Sequence, residues 1–107
     1  MSAVSTPPFV DAAELDSLCA PGALVVVVFI ATWNRRCQAF APECLDLAAR
    51  WSDRLPVVCV DVDESPALST RFEVCSVPTV LVLRAGEVLH REAGLSLAAT
   101  EACLLGA

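Results

Sequence analysis

The chain contains no lysine, one histidine and no long hydrophobic run. Its longest apolar stretch, Ala23 to Ala31, has nine residues, whereas a helix that spans a membrane needs about 20. Residues 1–8 include no basic side chain and no apolar stretch, so no secretory signal peptide is visible. These absences lead us to expect an intracellular, cytoplasmic protein whose apolar run forms a buried strand.

Positive charge is also scarce. All seven basic residues are arginine, against 13 acidic residues, and the net charge is -6. An acidic surface repels nucleic acid and anionic membranes, so we expect neither as a partner. The 107 residues are 56% hydrophobic and 19% charged, a composition typical of one folded domain. We therefore expect a single domain over residues 1–107, with a flexible leader at residues 1–8.

The six cysteines are scattered through apolar segments, without the secretory context in which a disulfide framework forms. We expect most of them to be reduced core residues, because a free thiol packs like a small hydrophobe. We do not expect a Cys37–Cys44 disulfide, since seven helical residues separate their α-carbons by about 10 Å. His90 has no second ligand beside it, so we expect no metal site, and nothing in the sequence indicates a cofactor.

Hydrophobic periodicity predicts the element order β-α-β-α-β-α-β-β-α. Strands are expected at 9–10, 24–30, 57–62, 79–83 and 87–91, and helices at 12–19, 35–51, 66–72 and 97–105. Asp11 and Glu14 have the spacing of a capping box, and Ser65 is placed to cap the third helix. Pro42 lies inside the second helix and predicts a kink there.

A buried parallel centre followed by a hairpin implies an α/β fold, with a mixed central sheet and helices on both faces. Ligands of such sheets gather at the carboxyl ends of the central strands. The segment Trp33–Cys37 follows the long apolar strand and therefore lies at that edge. We take it as the candidate site.

The motifs resemble those of the thioredoxin family, and their order and spacing match it over residues 9–105. The matching stretches are the strand end, tryptophan and second motif cysteine at Phe29–Cys37, the helix proline at Ala41-Pro42, the cis-proline loop at Ser76–Thr79, the hairpin at Gly86 and the following glycine at Gly94. The resemblance implies a thioredoxin fold and a cis peptide bond at Val77-Pro78.

Two departures from the family pattern change the expected chemistry. Asn34 stands where the family has its nucleophilic cysteine, and an amide does not attack a disulfide. The second cysteine is kept as Cys37, but no mixed disulfide forms for it to resolve. The family's buried aspartate falls at Val28 and its lysine neighbour at Cys59, so the pocket below Cys37 should be plain core. Ordinary dithiol–disulfide catalysis is not expected.

The resemblance also implies a binding face around the motif. Its residues are Trp33, Asn34, Arg35, Arg36, Val77 and Pro78. The two arginines begin a helix, where positive charge is mildly unfavourable, which favours a role in binding a carboxylate, glutathione or an acidic protein. Alternatively, they are two solvated side chains. Cys75, three residues before the proline, either lies near the site or is a buried or rim cysteine, and Cys19 and Cys103 face the core.

We predict a thioredoxin-like protein that is non-catalytic or weakly redox-active and binds a peptide or protein, acidic in character, through this face. The alternative is a single-cysteine thiol–disulfide oxidoreductase of cell redox homeostasis that uses Cys37, with glutathione or a partner thiol resolving the adduct. The helix start and the adjacent arginines would favour its thiolate, while packing against the Pro78 loop would limit access. A third possibility is a structural subunit whose site face is vestigial.

Overall fold

The computed structural model describes residues 6–93 and 96–106. Within them, four helices flank one four-stranded sheet. The helices are α1 (Ala12–Leu18), α2 (Arg35–Trp51), α3 (Pro66–Arg71) and α4 (Ala98–Gly106), and the strands are β1 (Leu24–Ile30), β2 (Val57–Asp61), β3 (Thr79–Arg84) and β4 (Glu87–Ala93). Residues 1–5 of the expected leader and Gly94 lie outside the described residues.

The sheet has the strand order β2-β1-β3-β4 and is mixed, as predicted. Its centre is not parallel, however, and that expectation is wrong. Strand β1 runs parallel to β2 but antiparallel to β3, with Phe29 opposite Thr79. The reason is that β3 begins at the edge of the sheet where β1 ends. Strand β3 must therefore run in the direction opposite to β1. The β3–β4 hairpin turns at Ala85 and Gly86, which both have positive φ.

The expected first strand at residues 9–10 is also corrected. Phe9 forms only an isolated parallel bridge to Cys59 at the free edge of β2. The Cys59 N–H donates to the carbonyl of Pro8 at 2.8 Å, and the Val10 N–H donates to the carbonyl of Cys59 at 2.9 Å. Pro7 is buried, so residues 6–8 of the expected leader are held against the sheet.

Local signals place most helix ends where the sequence predicts them. The capping box forms: the Glu14 N–H donates to Asp11 Oδ1 at 2.8 Å, and Glu14 Oε1 accepts from the Asp11 N–H at 3.1 Å. Helix α2 runs through Pro42 without ending. The Ser65 side chain makes no capping hydrogen bond, which corrects that expectation. With ψ at 62°, its backbone departs from the extended conformation that a capping residue adopts.

Strand β1 divides the core into two layers and is buried on both sides, which explains its unbroken apolar run. Val26, Val28 and Ile30 face α2 and α4, whereas the intervening residues face α1 and α3. Helices therefore cover both faces, as predicted. No helix in the described part of the chain is long and apolar enough to cross a membrane.

Helix α4 is fastened to α2 through Glu101, which sequence analysis did not single out. The Arg50 guanidinium donates to both carboxylate oxygens of Glu101 at 3.0 Å, and the Trp51 indole donates at 2.9 Å. These hydrogen bonds, first that of Arg50, lower the pKa of Glu101. Trp51 is buried at the end of α2, as expected, and Arg54 lies 5.1 Å over its ring.

Candidate functional site

The candidate site lies at the edge of the sheet where β1 and β2 end and β3 begins. The loop from Ala31 to Asn34 follows β1, and the loop from Val62 to Ser65 follows β2. The third loop enters β3 through Val77 and Pro78, whose peptide bond is cis. The hydroxyl of Thr79 donates to the carbonyl of Ser76 at 2.6 Å and braces this third loop. The fold therefore brings the three loops to one edge.

Trp33 is the most exposed large side chain of this edge, at 68% of its full surface. Its indole Nε1 donates to Asp63 Oδ2 at 2.8 Å. Asp63 is in turn held by its own N–H, which donates to Asp61 Oδ1 at 2.9 Å. Sequence analysis did not assign Asp63 to the site. The available signal was the run of acids directly after β2, at the edge where Trp33 follows β1.

Asn34 is the N-cap of α2. Its backbone is extended, with φ -84° and ψ 127°, and its Oδ1 accepts from the Cys37 N–H at 3.1 Å. Asparagine is among the preferred N-cap residues, because its side-chain oxygen satisfies a free donor of the first turn. Asn34 therefore stabilises the start of α2, at the position where the resemblance implies a nucleophilic cysteine. The resemblance implied only that a thiol is absent at position 34, and the N-cap propensity of asparagine was the signal for this second role.

Cys37 is buried, with 2% of its surface exposed. Burial raises the pKa of its thiol above the ordinary value, and a hydrogen bond with the Ala31 backbone opposes this only in part. The expectation that the helix start and the arginines favour its thiolate is therefore wrong. The physical reason is that Arg35 and Arg36 extend into solvent, whereas the thiol is in the apolar core.

The pocket below Cys37 is apolar core, as expected from the two replaced charges. Val28 pairs with Cys59 across β1 and β2, and both are buried in the same cluster as Cys37. Cys44 of α2 completes a group of three buried thiols there. Burial raises the pKa of Cys44 and of Cys59 to about 12 in each case, so both are protonated at neutral pH.

Two grooves border the cis-proline loop. The smaller, of about 120 Å³, is lined by Arg36, Ser76, Val77, Pro78 and Ala93. The larger, of about 390 Å³, is lined by Val62, Pro66, Ser69, Thr70, Val74, Cys75, Ser76 and Val77. The structure thus brings Arg36 to the proline loop, whereas Arg35 lines neither groove. Cys75 is exposed at the rim of the larger groove, and it is not a core residue.

The remaining sequence candidates take structural positions. Cys19 and Cys103 are half-buried and pack against the two sides of the core, as expected. His90 contacts Glu92 within β4, with Nε2 and Oε1 3.1 Å apart. Within residues 6–93 and 96–106, no three histidine, cysteine or acidic side chains are placed to hold a metal ion.

The thiols should differ strongly in their reactivity. We expect iodoacetamide at neutral pH to modify Cys75 first and Cys37 only slowly, because Cys37 is buried and protonated while Cys75 is exposed. Mass spectrometry of peptides after timed labelling, with urea-unfolded protein as the reference for full reactivity, measures both rates. Labelling of Cys37 faster than the other five thiols would contradict this expectation and favour a reactive single cysteine.

Comparisons with known proteins, by sequence and by structure, identify the family that the sequence motifs resemble. The family model described as Thioredoxin matches residues 9–102. The chain is 35% identical over 75 residues to a thioredoxin-like protein of Synechocystis sp., covering 70% of this chain and 71% of that protein. It is 34% identical over 82 residues to a thioredoxin of Staphylococcus aureus, covering 77% and 78%. The crystal structure of a Nicotiana alata thioredoxin superposes with a TM-score of 0.83 at 26% identity, covering 99% and 97%.

Proposed function

The chain belongs to the thioredoxin family, and because Asn34 holds its nucleophile position we propose that it is a non-catalytic or weakly redox-active member. In this proposal the protein binds a peptide or protein partner through Trp33, Asn34, Arg35, Arg36, Val77 and Pro78. These residues form what we call the site face.

One observation carries the proposal: the Asn34 side chain accepts the hydrogen bond of the Cys37 N–H. An amide oxygen in that place supplies no nucleophile, and it occupies a donor that a thiolate at position 34 would otherwise use. Cys37 does not compensate, because it is buried and its pKa is raised. The segment Trp33–Cys37 thus keeps the shape of the family motif without a thiol at position 34 to begin thiol–disulfide exchange.

The site face has the properties of a contact surface. Trp33 is a large exposed aromatic side chain whose indole is held by Asp63, so little conformational entropy is lost when a partner packs on it. Proline at position 78 adds a rigid apolar contact beside the small groove. Rigid anchors of this kind contribute most of the binding energy in many interfaces.

The arginines of the site face favour an acidic partner. Neither Arg35 nor Arg36 forms an ion pair with any residue that the structure describes, and both are exposed. Positive charge on an otherwise acidic protein selects anionic ligands through association rate and specificity more than through affinity. Glutathione, which carries two carboxylates, is a small molecule that the same arginines could bind through ion pairs.

The single-cysteine oxidoreductase is the competing function, and one pair of variants separates the two. The competing function requires Cys37 as the attacking thiol, so Cys37→Ser would abolish it. A binding module, in contrast, keeps its partners in Cys37→Ser, because serine is nearly isosteric and the thiol makes no contact with the ligand. Loss of all partners in a folded Cys37→Ser variant would support the oxidoreductase.

We expect the double variant Arg35→Glu, Arg36→Glu to lose at least about tenfold in affinity for a partner that the wild-type protein captures. Reversing both charges turns attraction for an acidic surface into repulsion, and both side chains are exposed, so the fold should persist. Isothermal titration with the purified partner measures the change, and circular dichroism checks the fold.

Arg84→Glu is the control for that experiment, because Arg84 is an exposed arginine at the opposite end of β3. It should leave the affinity within about twofold of wild type. Equal affinity of the folded double variant and the wild type would exclude the arginines from the interface.

A further inference from the structure

We propose that the small groove beside Pro78 holds a single acidic side chain of an extended peptide, and that Arg36 selects it. This inference deepens the proposed function and rests on it, because it assigns a chemical class to one position of the partner.

The groove has the size of one side chain. Its volume of about 120 Å³ is well below the roughly 300–1,000 Å³ typical of sites that enclose a small-molecule ligand. Val77, Pro78 and Ala93 supply apolar walls, and the Ser76 carbonyl already accepts from Thr79. Arg36 is the one charged residue among the described residues that line it. A short aliphatic stem that ends in a carboxylate matches such a lining.

The Arg36 side chain is also free to bind a ligand, whereas most arginines of this chain already contact other residues. Four of the seven have structural partners: Arg50 binds Glu101, Arg71 binds Asp16, Arg91 binds the carbonyls of Phe72 and Glu73, and Arg54 lies over Trp51. Arg35, Arg36 and Arg84 have no ion-pair partner among the described residues. Of these three, Arg36 is the one that lines the small groove, as far as the described residues go.

Asn34 supplies a second donor two residues before Arg36. Its oxygen accepts from the Cys37 N–H, so the other end of the planar amide must be the Nδ2 donor. Within the described residues that donor has no hydrogen-bond partner. The start of α2 therefore presents a guanidinium and an amide NH₂, both of which donate.

The charges on the other side of Trp33 restrict where an acidic side chain can lie. Asp61 ends β2 there, Asp63 and Glu64 follow it, and Asp63 contacts the indole directly. A second acidic residue of the peptide placed over Trp33 toward β2 would be repelled by these carboxylates. The site face is thus divided, with donors on the Pro78 side and acceptors on the β2 side, and this division favours one local acid over a uniformly acidic segment.

The test is a titration of ¹⁵N-labelled protein with three probe peptides, Ac-Ser-Val-Glu-Val-Ser-NH₂ and its Gln and Lys versions, followed by NMR. We expect the amide signals of Cys37, Val77 and Ala93 to shift. The Glu peptide should bind at least about fivefold more tightly than the Gln peptide, and the Lys peptide most weakly. In Arg36→Gln the Glu and Gln peptides should bind equally, whereas Arg84→Gln should keep the wild-type preference.

The outcomes separate this inference from the proposed function. Shifts at the site face with equal Glu and Gln affinities, or a Glu preference that survives Arg36→Gln, overturn the inference and leave the binding face intact. If none of the three peptides shifts any amide of the site face, both the inference and the proposed face are overturned. A preference for Glu that is lost in Arg36→Gln and kept in Arg84→Gln supports both.

Discussion

The purified protein should reduce insulin disulfides at least about a thousandfold more slowly than an ordinary thioredoxin measured alongside it. Removal of a covalent nucleophile lowers rates by up to about 10⁶-fold in the best-studied enzymes, and here the nucleophile position holds Asn34. Cys37 cannot replace it, because the thiol is buried and burial raises its pKa. Insulin turbidity with dithiothreitol as the electron donor measures the rate.

The variant Asn34→Cys should recover part of the activity, since it restores a thiol at the start of α2 three residues before Cys37. It should also lose about 1 kcal/mol of stability, because the side-chain cap on the Cys37 N–H is removed. Full recovery is not expected while Val28 and Cys59 replace the family's buried acid and its neighbour. Asn34→Ser, which keeps a capping side chain without a thiol, is the matched control and should remain inactive. Robust insulin reduction by the wild-type protein, abolished by alkylation, would refute the prediction.

The variant Val28→Asp should be destabilised by about 3–5 kcal/mol at neutral pH. Val28 is fully buried, its partner on β2 is Cys59, and both belong to a cluster of buried apolar side chains. An ionised carboxylate there would have no partner, so its pKa must rise above the usual value of about 3.9. Urea unfolding followed by circular dichroism measures the loss.

The pH dependence of the stability shows whether the charge of the introduced aspartate causes the destabilisation. Because the folded-state pKa of the introduced acid is raised, the penalty grows as the pH rises above the unfolded-state pKa, until the folded-state pKa is passed. Below about pH 4 the variant should resemble Val28→Asn, the matched uncharged control, whereas at neutral pH it should be less stable. Addition of Cys59→Lys should restore part of the stability. A loss equal in Val28→Asp and Val28→Asn at every pH would show that polarity or shape, and not charge, is responsible.

Much of the fold follows from local signals. The capping box at Asp11 and Glu14, the run of β-branched residues in β1 and the three- and four-residue spacing of apolar positions in α2 each act over a few residues. Their elements lie within one residue of the predicted bounds. The antiparallel pairing of β3 with β1 was not predicted, because strand direction depends on which edge of the sheet the chain reaches after α3 and not on the residues of the strand.

The sequence alone determined that Asn34 stands where the resemblance implies a nucleophilic cysteine, and that Val28 and Cys59 stand where it implies two buried charges. It also indicated that the Trp33 segment and the cis-proline loop belong to the site. These are properties of residue identity and order, which folding does not change. The tertiary structure decided the rest. It placed Asp63 on Trp33 across 30 residues of chain, brought Arg36 and not Arg35 to Pro78, and buried Cys37 deeply enough to raise its pKa. Hydrogen-bond partners and desolvation depend on which distant atoms surround a group, so only the folded chain settles them.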